Sequence, residues 1–217
     1  MKKALLFVLA LIAVGCADTE QAETPAAGSE RVTSLSACES VTDRPFWTDE
    51  DLSEDVTSRF EAWLLCAEDG DHIAQWGIAR AYATGEGIPE DDVEAARWYR
   101  LAAEQGYADA QYSLGLMYLS GEGVPEDDVE AVRWWRLAAE QGLADAQFLL
   151  GVRYAEGEGV PQDNVLAYMW YNLAAAQGNE DGQDYKDEIE PLMTREQIAE
   201  GQRLSTEWIE AHPPGGN

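Results

Sequence analysis

One unit of 36 residues is written three times in succession through the middle of this chain. Residues 71–106 read DHIAQWGIARAYATGEGIPEDDVEAARWYRLAAEQG, residues 107–142 read YADAQYSLGLMYLSGEGVPEDDVEAVRWWRLAAEQG, and residues 143–178 read LADAQFLLGVRYAEGEGVPQDNVLAYMWYNLAAAQG. They align without a gap. A fixed period of this length marks a solenoid, in which each unit buries its apolar face on its neighbours. Solenoids work by presenting surface, so binding rather than catalysis is the expected activity.

Each unit reads as two helices. In the first copy Ala74, Ile78, Ala79 and Tyr82 recur at helical spacing over 71–84. Gly85-Glu86-Gly87 ends that helix, because glycine takes the left-handed backbone of a helix C-terminus. Asp91 reads as the N-cap of the second helix, with Glu94 three residues on as an acidic capping box. Asp127 and Glu130 repeat the pair, whereas Asp163 keeps the cap and Leu166 breaks the box. The second helix carries Ala95, Trp98, Leu101 and Ala102 on one face. The pairs Ala102-Ala103, Ala138-Ala139 and Ala174-Ala175 mark close approach of neighbouring helices. Trp98, Trp134 and Trp170 are expected to fill the space between layers, each burying roughly 150–250 Å².

The flanks read as caps. Residues 55–70 align with 91–106 and keep the Asp, Leu65 and the final Gly, so 46–70 is expected to hold a capping half-repeat. Downstream, 180–193 suits a helix. Thr194 with Gln197 offers a capping box for a last helix over 195–211, with Ile198, Leu204 and Trp208 inward, before the 213–217 tail. Terminal units of a solenoid must close an otherwise exposed apolar end, which 179–212 would do on this side.

The unit pattern is A-x-A-Q-x-x-L-G-x-x-Y-x-x-G-x-G-V-P, then D-x-x-x-A-x-x-W-W or W-Y, then L-A-A-x-Q-G. It closely resembles the Sel1-like repeat, a relative of the tetratricopeptide repeat. The resemblance covers 3 × 36 = 108 of the 217 residues, with Ala79 standing where the other copies have Gly115 and Gly151. It implies an all-α fold, a right-handed α-solenoid of helical hairpins, and a role in macromolecular assembly with no particular partner.

The N-terminus is an address. Lys2-Lys3 precedes an apolar run, 4–14, too short to span a bilayer. Ala13-Val14-Gly15-Cys16 resembles the lipobox of bacterial lipoprotein precursors. That resemblance implies a signal peptide over 1–15, lipidation of Cys16, and a place in the bacterial cell envelope, lipid-anchored and facing the periplasm. Ala17 favours the outer membrane over the inner, while Asp18 pulls the other way. A plain secretory signal is the alternative. Polar residues 17–34, within a 16–45 N-terminal segment, look like a flexible tether.

Export places Cys38 and Cys66 in an oxidising compartment, where a disulfide between them is expected. The alternative is two unpaired thiols, Cys66 being buried where the repeats have alanine. His72 and His212 are the only histidines, and no Cys-x-x-Cys or His-x-x-x-His exists, so neither metal nor cofactor is expected. Net charge is −28. Such acidity argues against nucleic acid and anionic headgroups as partners. It fits a cationic partner or a plain solubility surface. Arg97, Arg100, Arg133 and Arg136 are expected to pair with Glu94, Glu104, Glu130 and Glu140.

No catalytic set is legible. Lys186 has Gln183 three residues before it, so the Ser-x-x-Lys of β-lactamase-type serine chemistry is absent. No Lys follows the glycine turns, which excludes a phosphate loop. Asp91-Asp92 lacks the ligand spacing of a calcium loop.

Positions that vary between copies are free of the shared packing constraint. On the first helices these are Gly77, Ser113 and Leu149, then Ala81, Met117 and Arg153, and then Arg80, Leu116 and Val152, the last set sharing one stripe with Trp76, Tyr112 and Phe148 four residues earlier. First helices line the concave face in folds that this chain resembles, so the six residues of that stripe form a candidate groove for a peptide or helix. The alternative is that the aromatics pack between helices. The expected function is a membrane-tethered periplasmic interaction scaffold, or adaptor, in envelope assembly or signalling. A periplasmic inhibitor of a sensor kinase and an envelope hydrolase are the alternatives, the latter lacking a nucleophile and base.

Overall fold

The computed structural model describes Cys38 and residues 56–213. The expected signal peptide, the expected lipidation site Cys16, the expected tether, residues 46–55 of the half-repeat and the end of the tail lie outside the described residues. The helices are α1 (Val56–Glu68), α2 (His72–Thr84), α3 (Asp92–Glu104), α4 (Ala108–Ser120), α5 (Asp128–Glu140), α6 (Ala144–Glu156), α7 (Asn164–Ala176), α8 (Glu180–Ile189) and α9 (Arg195–Ala211), with a 3-10 turn at Glu190–Leu192. Among the described residues there is no strand. From α1 to α8 each helix packs on its neighbours in the chain, which is the connectivity of an α-solenoid.

The caps follow the sequence closely. Gly85, Gly121 and Gly157 end α2, α4 and α6 with φ of 69°, 75° and 78°. The second glycine of each turn has a different duty. A Cβ on Gly123 would run into the Asp92 carbonyl, and one on Gly159 would stand 2.7 Å from the Asp128 carbonyl carbon. The turns of units two and three therefore lie backbone to backbone on the start of the preceding unit's second helix. Asp91, Asp127 and Asp163 each accept from two backbone N–H groups at 2.9–3.1 Å. Glu94 and Glu130 do not complete the expected boxes; Arg97 and Arg133 hold them at 3.0 and 3.3 Å. Both halves of a box do form at Thr194 and Gln197.

Glutamines tie unit to unit. Gln75, Gln111 and Gln147 are buried, and each Nε2 donates at 3.1 Å to the carbonyl of Ala67, Ala103 or Ala139 in the preceding helix. Each Oε1 in turn accepts from Gln105, Gln141 or Gln177 at 2.7–2.8 Å. A buried amide left unpaired would cost about 1–3 kcal/mol, so the A-x-A-Q and A-A-x-Q-G elements have to occur together.

The core holds two aromatic columns rather than one. Trp98, Trp134 and Trp170 are buried as expected, but so are Trp63, Tyr99, Trp135 and Tyr171 one position on. The second column sits against the first helices: a Cβ on Gly115 would lie 2.6 Å from Trp135 Cδ1, and one on Gly151 2.6 Å from Tyr171. Leu101 is not inward. It is 36% exposed and its counterpart Leu137 37%, at the edge of the buried face. Arg100 and Arg136 do not take helical Glu partners either. They donate to Tyr118 and Tyr154 hydroxyls of the next hairpin at 2.9 and 2.8 Å.

The two ends close differently. Cys38 and Cys66 are bonded, with Cα atoms 5.6 Å apart, which fastens the segment around Cys38 to α1. At the other end α9 does not pair with α8; it lies back along α7. Gly201 abuts Tyr168, Ser205 donates to the Gly201 carbonyl, and Trp208 meets Trp170 edge-on at 6.4 Å. Unit three permits this because Leu166 and Met169 replace the Glu and Arg of the earlier units. Its outward stripe is therefore apolar, and Leu173 is only 2% exposed.

Candidate interaction surface

Helices α2, α4 and α6 carry the six stripe residues at matched positions. None is fully buried. Trp76 meets Tyr107, the residue preceding α4, edge-on at 5.9 Å, and His72 tilts against the same ring at 5.2 Å. Tyr112 is half-buried, and its backbone carbonyl accepts from Trp135 Nε1 at 3.1 Å. Phe148 meets Tyr185 of α8 edge-on at 5.2 Å and Tyr171 at 6.1 Å. The three aromatics thus act in packing between elements while keeping an exposed edge.

The second row is more open at one end. Leu116 is exposed and Arg80 half-exposed. Val152 instead packs, with Phe148, against the cluster of Tyr168, Tyr171 and Ile189. The cap segment therefore takes up the stripe at unit three, and the stripe is most accessible from Arg80 to Leu116.

The tyrosines here are held neutral. Burial, then the Asp109 carboxylate and a hydrogen bond to it, push Tyr107 up to about 12. Burial and the Asp145 charge raise Tyr112. Tyr99 is raised by burial, opposed by a hydrogen bond to Ser113 and by the positive charge of Arg80. A neutral aromatic face beside Arg80 suits apolar side chains with an acid nearby. Among the described residues no group of His, Cys, Asp and Glu is placed to hold a metal, and no helix is long and apolar enough to cross a membrane.

The varied column Ala81, Met117 and Arg153 is not free of packing constraint: Ala81 and Met117 are buried. Arg153 is accommodated by Glu156, the last residue of α6, at 3.1 Å and by Glu158 in the turn that follows. These ion pairs depend on the turn geometry.

Stacked hairpins joined by repeated backbone and amide contacts define a helical repeat protein. The chain belongs to the Sel1 repeat family, whose pattern matches residues 72–107, 108–143 and 144–179, one residue on from the units set out above. Proteins of this family are in general protein–protein interaction scaffolds. The chain is similar to a Sel1 repeat protein from Oxalobacter formigenes, at 42% identity and TM-score 0.56, over 59% of this chain and 96% of that one. It is also similar to a protective antigen of uropathogenic Escherichia coli that displays an SLR fold. There the identity is 27% and the TM-score 0.56, over 85% of this chain and 49% of the antigen. This chain thus spans about half of the antigen's length. No curated protein matches it.

Proposed function

We propose that this chain is a membrane-tethered periplasmic adaptor in cell-envelope assembly or signalling, and that the first-helix stripe receives a partner's peptide or helix. The observation that carries this reading is the stripe itself: Arg80, Leu116 and Val152 stand at one position in three stacked units, a cation in the first and aliphatic side chains of different shape in the other two. A regular scaffold with varied side chains reads a sequence by register, and half-exposed aromatics beside them supply low-entropy contact area. The lipobox-like residues before Cys16 support the tether, and the acidic 42 against 14 basic residues keep the molecule from nucleic acid and anionic lipid.

A photocrosslinking residue at position 116 of the full-length chain, expressed in its own cells, tests the face. A discrete crosslinked product is expected, and Arg80→Glu with Leu116→Asp should abolish capture while helical content and melting persist. Undiminished capture by the double variant refutes the assignment. Cys16→Ser tests the tether separately: it should move the protein from the membrane fraction to the soluble one, and unchanged fractionation rejects the anchor.

A further inference from the structure

The outward face of the second helices is written identically in units one and two. Of residues 90–106, only Ala96 and Tyr99 differ from their counterparts Val132 and Trp135. All four of those are buried. The exposed residues are the same in both copies, including Val93 and Val129, which are 65% and 63% exposed. The first helices of the same two units have diverged freely. Packing does not require an exposed valine, so a demand from outside the core is repeated in both units.

Unit three shows what such a stripe accepts. There Val165, Met169 and Leu173 occupy the positions of Val93, Arg97 and Leu101, and α9 lies over the helix that bears them. Its docking face is amphipathic and centred on Gly201, Leu204, Ser205 and Trp208. Its end reaches the neighbouring unit, for a Cβ on Gly142 would stand 3.9 Å from Trp208 Cη2. Gly142 lies just past the end of α5, so α9 ends beside the helix that bears the uncovered second stripe.

The geometry points to a second docking surface, formed by Val93 and Leu101 of α3 and Val129 and Leu137 of α5, whose occupant is a basic amphipathic helix of a partner protein. Charge selects the occupant. Glu90, Asp92 and Glu104 flank the α3 stripe, and Glu126, Asp128 and Glu140 flank that of α5. Among the described residues none of these six takes part in an ion pair. Arg97 and Arg133 lie within the stripe, at the position of Met169, but each is held by Glu94 or Glu130 and over the ring of Trp98 or Trp134, while Arg100 and Arg136 are held by tyrosine hydroxyls. A helix with apolar residues at three- and four-residue spacing and Lys or Arg on its flanks satisfies both features. A second copy of the chain brings a like net charge of −28, and the chain's own 17–34 segment carries four acids against Arg31.

The probe is a synthetic 18-residue Leu/Lys amphipathic helix, titrated into the full-length protein with Cys16→Ser. The controls are a scrambled peptide of equal composition and a Leu/Glu counterpart. Saturable binding by the patterned peptide is expected, weakening with salt. Leu101→Ser with Leu137→Ser should reduce affinity at least tenfold with helical content unchanged, and Val93→Ser with Val129→Ser, at the more exposed sites, should act alike with helical content unchanged. Leu116→Asp should leave binding intact, which separates this surface from the first-helix stripe. Equal binding of the scrambled peptide, unchanged affinity in both serine pairs, or loss of binding with Leu116→Asp alone overturns the proposal. So does a dimer in sedimentation velocity that the serine pairs dissociate, because the occupant would then be a second copy.

Discussion

Gly115→Ala separates packing from helix propensity by sign. In an isolated helix the change would stabilise by about 1 kcal/mol. Here the new methyl would stand 2.6 Å from Trp135 Cδ1, against about 3.5 Å or more for ordinary carbon contact. Trp135 has no exposed surface and no room to retreat, and its Nε1 already donates to the Tyr112 carbonyl at 3.1 Å. Overpacking of this kind costs about 1–3 kcal/mol, and displacing the indole from its acceptor about 1–3 kcal/mol more. After subtracting the propensity gain, net destabilisation is about 1–5 kcal/mol. Unit one carries Ala79 with Tyr99 at these two positions, whereas unit three keeps Gly151, where a Cβ would lie 2.6 Å from Tyr171, so a tyrosine accepts the methyl only in the seating it has in unit one. Adding Trp135→Tyr, with the ring seated as Tyr99 is, should recover part of the loss, with a coupling of at least about 1 kcal/mol in a double-mutant cycle. Urea unfolding followed by circular dichroism measures all four proteins. A neutral or stabilised Gly115→Ala refutes the close seating of Trp135, and strict additivity refutes the compensation.

Replacing Cys38 and Cys66 together by alanine opens a 28-residue crosslink and should lower stability by about 3–4 kcal/mol in chemical denaturation; an unchanged midpoint would show that the bond does not constrain the unfolded chain. Asp127→Ala removes the acceptor for Val129 and Glu130 N–H and should cost about 0.5–2 kcal/mol, whereas Asp127→Asn should cost much less. Leu166→Glu with Met169→Arg rewrites the α7 face as that of unit two, so α9 should detach. Limited proteolysis should then cut within 195–211 while the repeats survive, and a protected α9 would contradict the account of its docking.

The elements that depend on local chemistry were legible: the period, the aspartate caps, the glycine stops and the Thr194–Gln197 box. What escaped depends on a second helix. Trp98 and Tyr99 point about 100° apart on one helix. Both are buried because α3 has helices on two sides, so a single inward face was too narrow a reading. Arg100 had a helical Glu within reach, yet the hydroxyl it chose belongs to Tyr118, 18 residues away across the next turn. Glu94 was read as reaching back to its cap because the box pattern says so, but Arg97 competes for the same carboxylate. The first-helix stripe is a candidate only through side chains that differ between copies. That unit three is taken up by the C-terminal segment follows from Tyr185 and the Tyr171 cluster, which no repeat alignment brings next to Phe148.

Unit three carries the most information because it breaks the pattern. A repeat that always faces the same neighbours can be copied unchanged, so a departure at an outward position records a change in what faces it. Leu166, Met169 and Asn172 replace Glu, Arg and Arg, and over this helix, and not over α3 or α5, α9 is laid. The same logic runs in reverse. Outward positions that stay identical while buried ones drift, as between 90–106 and 126–142, record an environment that has not changed. For the buried pairs the environment is visible in the fold, where Ala79 goes with Tyr99 and Gly115 with Trp135. For the exposed valines, leucines and acids it lies outside the chain, which is why the second-helix face and the first-helix stripe call for separate partners and separate tests.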